Sequence, residues 1–195
     1  MSKKIIKDTL VLVAIVLISA VCLSLVYETT KDRIAEAEAE ERLESFRKVF
    51  ESASDFEDKE YEYPASDDGI KVTDALFARD GEGNELGCVL SVTNPNGYGG
   101  DIVISLGFDK NGKITGMTVT SMSETAGLGA KCQDETWKGQ FGGIDSFPVE
   151  WVKNGRTAEN EIDALSGATV TTKAITGSVN YAADFVRTVF GYGGQ

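Results

Sequence analysis

Hydropathy along the chain begins with an unbroken apolar run. From Thr9 to Tyr27 the residues TLVLVAIVLISAVCLSLVY carry no charge. As a helix rising about 1.5 Å per residue they just span a hydrocarbon core of about 30 Å. The pattern predicts a transmembrane helix over residues 9–27, with residues 1–8 ahead of it. A buried core helix would keep a polar stripe, which this run lacks. A cleaved signal peptide shares the basic start and the apolar run. Here, however, the small-x-small pattern between Ser19 and Ser24 is poor, and Val21 before Cys22 spoils a lipoprotein-type site. The run therefore reads as an uncleaved signal anchor. Lys3, Lys4 and Lys7 precede it against a single acid, Asp8. That bias predicts a cytoplasmic N-terminus and an extracytoplasmic remainder.

Beyond the span the period changes. Between Lys31 and Phe50, Ile34, Ala37, Leu43, Phe46 and Phe50 recur at near-helical spacing among Glu, Ala and Arg. This predicts an amphipathic connector helix within residues 28–54 that holds a domain off the bilayer or packs on its outside. Acids and turn formers from Asp55 to Asp68 break the periodicity and predict a loop opening a domain over residues 55–195. Leu86, Cys88, Leu90 and Val92 then alternate as in a half-buried strand, after the turn DGEGN at Asp80–Asn84. Ile102, Ile104, Leu106 and Phe108 alternate again. With the turn DKNG at Asp109–Gly112 and the return over Ile114–Thr120, they predict a β-hairpin. The chain is glycine-rich and irregular from Trp137 to about Ser146. Later, Ile175, Val179, Ala182, Val186 and Val189 mark one apolar face of a last helix. A helix packed on an antiparallel sheet gives an α+β fold.

At 195 residues the chain has room for one ordinary domain and a modest appendage. Its 19 Lys+Arg against 31 Asp+Glu leave a net charge of −12, with no histidine. Such a surface suits nucleic acid poorly. The missing histidine removes Ser-His-Asp and Cys-His catalysis, histidine-based zinc sites and histidine proton relays. Chemistry then falls to carboxylates, hydroxyls or a bound cofactor. The residues up to Tyr27 carry +2, so the portion beyond carries −14, and charge cannot hold it to an anionic membrane surface. Cys22 lies in the apolar run. Cys88 and Cys132 leave open a disulfide or two small buried side chains, but two thiols without histidine make no structural zinc site.

The segment DALSGATVTTKAI, Asp163 to Ile175, carries the strongest chemical signal. Ser166, Gly167, Ala168 and Thr169 are small, Thr171 and Thr172 add hydroxyls, and the next residues open the last helix. Small residues there let an anion such as phosphate approach free backbone N–H groups at the positive end of the helix dipole. The spacing is not that of a Walker loop, and a plain Ser/Thr helix cap remains open. A second glycine-punctuated loop, SETAGLGAK at Ser123–Lys131, follows the hairpin directly. Two such loops suggest one ligand, although a turn built on Gly127 and Gly129 would look the same.

SGAT at Ser166–Thr169, preceded by Asp163, stands with ETAGLG at Glu124–Gly129 and GYGGDI at Gly97–Ile102. Together they resemble the FMN-binding domain family. The resemblance implies FMN joined through a phosphoester to the threonine closing SGAT, here Thr169, by a dedicated flavin transferase. With one membrane helix and a short Ala/Glu-rich helix, the whole chain is similar to the G subunits of the Rnf ion-translocating electron-transport complex. That implies a membrane-anchored flavoprotein that relays electrons among membrane subunits and turns over no substrate itself. The complex would couple ferredoxin:NAD⁺ electron transfer to Na⁺ or H⁺ movement. Ser166, Gly167, Ala168, Thr171 and Thr172 then fall on the phosphate side, Glu124, Thr125, Gly127 and Leu128 in the ring-side loop, and Lys131 or Lys173 offsets the phosphate charge. A carboxylate near the ring would disfavour added negative charge and lower the potential.

The family's loop often reads His-x-Glu-Thr-Pro-Gly-Leu-Gly, whereas Met122 and Ala126 stand here at the histidine and proline positions. Trp137, Phe141 and Trp151 either stack on flavin or fill the core. Asp163 is a solvated acid before a turn or a mark read by the transferase. Three other readings share parts of the pattern. They are the C subunit of the Na⁺-translocating NADH:quinone oxidoreductase, a stand-alone membrane-tethered flavin domain for extracellular electron transfer, and an anion-binding module whose SGAT loop merely caps a helix.

Overall fold

The computed structural model describes residues 3–193. Met1, Ser2 and the side chains of Lys3 and Lys4, which carry part of the predicted charge bias, lie outside the described residues. The expected span and connector form one helix, α1 (Lys3–Val49), rather than two. No glycine or proline interrupts them, and Thr29 and Thr30 donate their hydroxyls back to the carbonyls of Leu25 and Val26. By length and composition α1 can cross a membrane. The chain divides into two compact units between Leu43 and Glu44. The domain therefore starts ahead of the expected Asp55, because Ser45, Phe46, Val49 and Phe50 are all buried in it.

Five antiparallel strands form one sheet in sequential order: β1 (Asp55–Asp58), β2 (Lys71–Arg79), β3 (Glu85–Asn94), β4 (Ile102–Asp109) and β5 (Ile114–Ser121). The segment DFED, expected within a loop, is thus an edge strand held by backbone pairing to β2. Its acids discourage further strand addition. β2 has no counterpart among the expected elements, since a register shift between Val72 and Asp74 interrupts its alternation. The β4–β5 hairpin forms as expected, and its turn is closed by Asp109, whose Oδ1 accepts the N–H groups of Asn111 and Lys113 at 2.8 and 2.9 Å.

After β5 come a 3-10 turn (Gly129–Gln133), a single helical turn α2 (Glu135–Lys138) and a second 3-10 turn (Gly139–Phe141). A short parallel pair, β6 (Glu150–Val152) and β7 (Glu161–Asp163), leads to α3 (Thr169–Phe185) and a closing π-turn (Val186–Phe190).

The sheet is covered on both faces, so β3 is more buried than a half-buried strand. One face carries Cys88, Leu90 and Val92 opposite Phe108, Leu106 and Ile104, and packs with Ile175, Val179 and Phe185 of α3 in the main core. On the other face Phe46, Val49 and Phe50 at the end of α1 sit over Leu76, Ala78 and Val89. Small residues make room for them. A Cβ on Gly107 would lie 2.6 Å from the Val49 carbonyl oxygen, and one on Gly116 2.9 Å from it. The Thr115 hydroxyl donates to that same carbonyl at 2.6 Å, and the hydroxyls of Ser45 and Ser105 meet at 3.0 Å.

Trp137 and Phe141 belong to the main core, in edge contact at 5.3 Å, and Trp151 packs half-buried against it. Cys88 and Cys132 are both buried, free thiols.

Candidate functional site

Three loops emerge at one end of the sheet, because β3 ends at Asn94 opposite Ile102 of β4, while Val103 pairs with Ser121 at the end of β5. The first, Pro95–Asp101, carries Gly97, Tyr98 and Gly99; the second, Met122–Leu128, carries Glu124, Thr125 and Leu128. The third is the turn Ala164–Ala168 that opens α3. Asn94 ties α3 to this end, its amide donating to the Ala174 carbonyl at 2.7 Å and to Ser178 Oγ at 3.1 Å.

The loops enclose a cavity of about 400 Å³ walled by Tyr98, Glu124, Thr125, Leu128, Gly129, Gly167, Ala168, Thr169, Val170 and Thr171. Of the residues anticipated from sequence, Glu124, Thr125, Leu128, Gly167, Ala168, Thr169 and Thr171 meet here. Glu124 joins the second loop to the first and to the opening turn of α3. Its carboxylate accepts the Thr171 hydroxyl at 2.6 Å and the Gly99 N–H at 3.2 Å. Gly167, at φ +75°, takes a left-handed conformation that side chains rarely adopt, and a Cβ there would approach Leu128 to 3.1 Å. Ala168, the N-cap of α3, offers no side-chain cap bond. The first-turn N–H groups, with their share of the helix dipole, are left for an anion.

Five anticipated residues do not reach the wall. Thr172 faces inward, fully buried, donating to the Ala168 carbonyl at 3.0 Å and accepting the Leu165 N–H at 3.1 Å. It braces the SGAT turn from behind. Ser166 is exposed on the outer side of that turn, Gly127 (φ +78°) shapes its loop, and Lys131 stands on the 3-10 turn. Lys173 instead lines a neighbouring cavity that shares only Val170 with the first. Sequence reasoning missed Tyr98, Gly129 and Val170 as wall residues. Tyr98 lay within the quoted GYGGDI motif, and its exposure is the signal that only the structure supplies.

Cys132 lies behind the second loop, its thiol 3.4 Å from the Met122 sulfur. Burial, reinforced by the Glu124 carboxylate, pushes that thiol up to about 11. The residue at the family's histidine position thus contacts a buried thiol.

Residues 97–184 match the FMN-binding domain family and residues 1–49 match the RnfG N-terminal region. The chain is 32% identical, over 91% of its length and 89% of the relative's, to the G subunit of the Na⁺-translocating ferredoxin:NAD⁺ oxidoreductase complex of Acetobacterium woodii. It is also 32% identical, over 95% and 96% of the two lengths, to the G subunit of the ion-translocating oxidoreductase complex of Methanosarcina acetivorans. This chain belongs to the RnfG family. The fold of this RnfG-family chain is shared with Shewanella oneidensis NqrC, at a TM-score of 0.57 and 19% identity over 73% of this chain and 72% of that one. The C subunit of the Na⁺-translocating NADH-quinone reductase from Parabacteroides distasonis gives 0.50 and 21% over 60% and 62%. At those identities the likeness is one of fold alone, and the NqrC-type reading gives way to RnfG.

The wall suits FMN on its own chemistry. An uncapped helix start beside a threonine hydroxyl accommodates a phosphate, and exposed apolar side chains in the same wall accommodate a planar ring.

Proposed function

We propose that this chain is the membrane-anchored flavoprotein subunit of an Rnf-type complex. It carries FMN as a phosphoester on Thr169 and passes electrons between membrane subunits, while the complex couples ferredoxin:NAD⁺ electron transfer to Na⁺ or H⁺ movement. One observation carries the reading. Outside α1, the large hydrophobic side chains that stand exposed among the described residues are Tyr98, Leu128 and Val170, and all three wall the cavity into which Thr169 opens. Exposed apolar side chains gathered at one cavity mark a binding site rather than a random surface.

FMN bound there supplies a ring that takes up and returns electrons. The protein's part is to hold it. Thr169 fixes the phosphate tail at the first turn of α3, where Gly167 and Ala168 keep the backbone accessible and the uncapped N–H groups face the charge. Lys131, or Lys173 one turn along the helix from Thr169, would offset that charge. Tyr98, Leu128 and Val170 would offer the ring apolar surface and would exclude water from it. A covalent tail also frees the protein from any dependence on free cofactor outside the membrane. A flavin transferase completes maturation. The uncharged run over residues 9–27 supports a membrane span, and Lys3, Lys4 and Lys7 support a cytoplasmic N-terminus.

The test is direct. Detergent-solubilised native chain and a Thr169→Ala variant are run on a denaturing gel under ultraviolet light, and the adduct is mapped by mass spectrometry. A fluorescent band in the native chain that vanishes in the variant supports the assignment. No band from a host that has the transferase returns Thr169 to a structural role.

A further inference from the structure

We propose that Glu124 sets how readily a flavin in this cavity accepts electrons, by holding a carboxylate charge fixed beside the ring. The inference rests on the flavin reading above. Among the residues that wall the cavity, Glu124 alone carries a charge. Both its oxygens are engaged, Oε1 by the Gly99 N–H at 3.2 Å and Oε2 by the Thr171 hydroxyl at 2.6 Å. The surrounding backbone is built around that placement. A Cβ on Gly97 would come within 2.8 Å of Oε1, and one on Gly129 within 2.3 Å of Oε2. A carboxylate tied to a separate loop and to the first turn of α3, and hemmed in by two glycines, does not swing out to solvent when charge appears nearby. Lys131 and Lys173 stand outside the wall, so no cation among the wall residues neutralises it.

Two electrons and one proton added to oxidised flavin leave one net negative charge on the ring. A fixed carboxylate in the wall disfavours that product and leaves the oxidised form untouched. Glu124 is half-buried, so solvent screens it strongly, and near the dielectric of water a unit charge about 3 Å away changes such an equilibrium about tenfold.

The experiment is a potentiometric titration of the full-length, flavin-loaded chain in detergent, with dithionite as reductant and mediator dyes. In Glu124→Gln, which keeps the shape and removes the charge, the ratio of reduced to oxidised flavin at a given ambient potential rises about tenfold. That corresponds to a midpoint about 30 mV higher for a two-electron couple. Thr171→Val removes one hydrogen bond and keeps the charge, and its ratio moves by less than about threefold. An unchanged ratio in Glu124→Gln overturns the proposal, as does an equal shift in Thr171→Val, which would assign the effect to loop geometry. Loss of in-gel flavin fluorescence from Glu124→Gln also overturns it, making the residue a requirement for loading. Failure of the flavin reading itself shows separately, as a missing band in the native chain.

Discussion

Replacing Phe46 with alanine tests whether the end of α1 is part of the domain core. Phe46 has no exposed surface and packs with Val49, Phe50, Leu76, Ala78 and Val89, its ring 6.0 Å from that of Phe56. Truncating a buried phenylalanine costs about 3–5 kcal/mol, from lost transfer free energy and the cavity left behind. The strands beneath cannot close that cavity, because glycines and serines stand where larger side chains would have to reach. For a domain of about 150 residues the loss lowers the thermal midpoint by about 10 °C. The assay is tryptophan fluorescence of the full chain in detergent during heating. Trp137 and Trp151, the two tryptophans of the chain, both lie beyond Leu43, so the signal reports the domain and is blind to the apolar helix. Ile34→Ala, on the same helix but 49% exposed, is the control and moves the midpoint by about 1 °C or less. A shift below about 3 °C for Phe46→Ala would refute the assignment and return the helix end to the role of a plain connector.

Two further outcomes follow from buried groups. Thr172→Val removes the hydroxyl that accepts the Leu165 N–H, leaving a buried donor unsatisfied at a cost of about 1–3 kcal/mol, and the same fluorescence melt reads it as a lower midpoint. The Cys132 thiol, pushed by burial from 9.0 up to about 11, stays protonated in the folded chain at pH values where the unfolded chain has already lost the proton. Its contribution is therefore intact below about pH 9 and is lost as the pH rises towards about 11. Denaturant midpoints measured across that window fall less steeply in Cys132→Ala than in the native chain, and parallel slopes would count against the burial argument.

The strands with regular alternation were legible because one side of each faces a single apolar core. Leu90, Val92, Ile104 and Leu106 announce β3 and β4 by that rule alone. β1 was hidden because its four residues are mostly acids at an edge, where backbone pairing needs no apolar face. β2 was hidden because the irregularity at Val72–Asp74 breaks its period. The second face of the sheet was illegible for a different reason. Ser91, Ser105, Gly107 and Gly116 look polar or neutral in sequence, yet their small size seats the end of α1, a tertiary relation with no local signature. At the cavity, the glycine and threonine motifs pointed to the loops, while the outward turn of Ser166 depends on the turn at left-handed Gly167 and the inward turn of Thr172 on helix phase, neither of which a motif reveals.

The seat of α1 also dictates an order of events during synthesis. Ser45 meets Ser105 across 60 residues of chain, and the Val49 carbonyl meets Thr115 across 66. Phe46, Val49 and Phe50 therefore leave the ribosome long before the strands that will cover them. At about 5–20 residues per second that interval lasts several seconds. Throughout it, three large apolar side chains stand beyond a charged stretch of chain with nothing of their own to bury against. The nascent chain passes through this exposed state every time it is made, so a mutation that slows pairing of β3 to β5 is expected to reduce the yield of the protein more than the finished fold's stability would suggest.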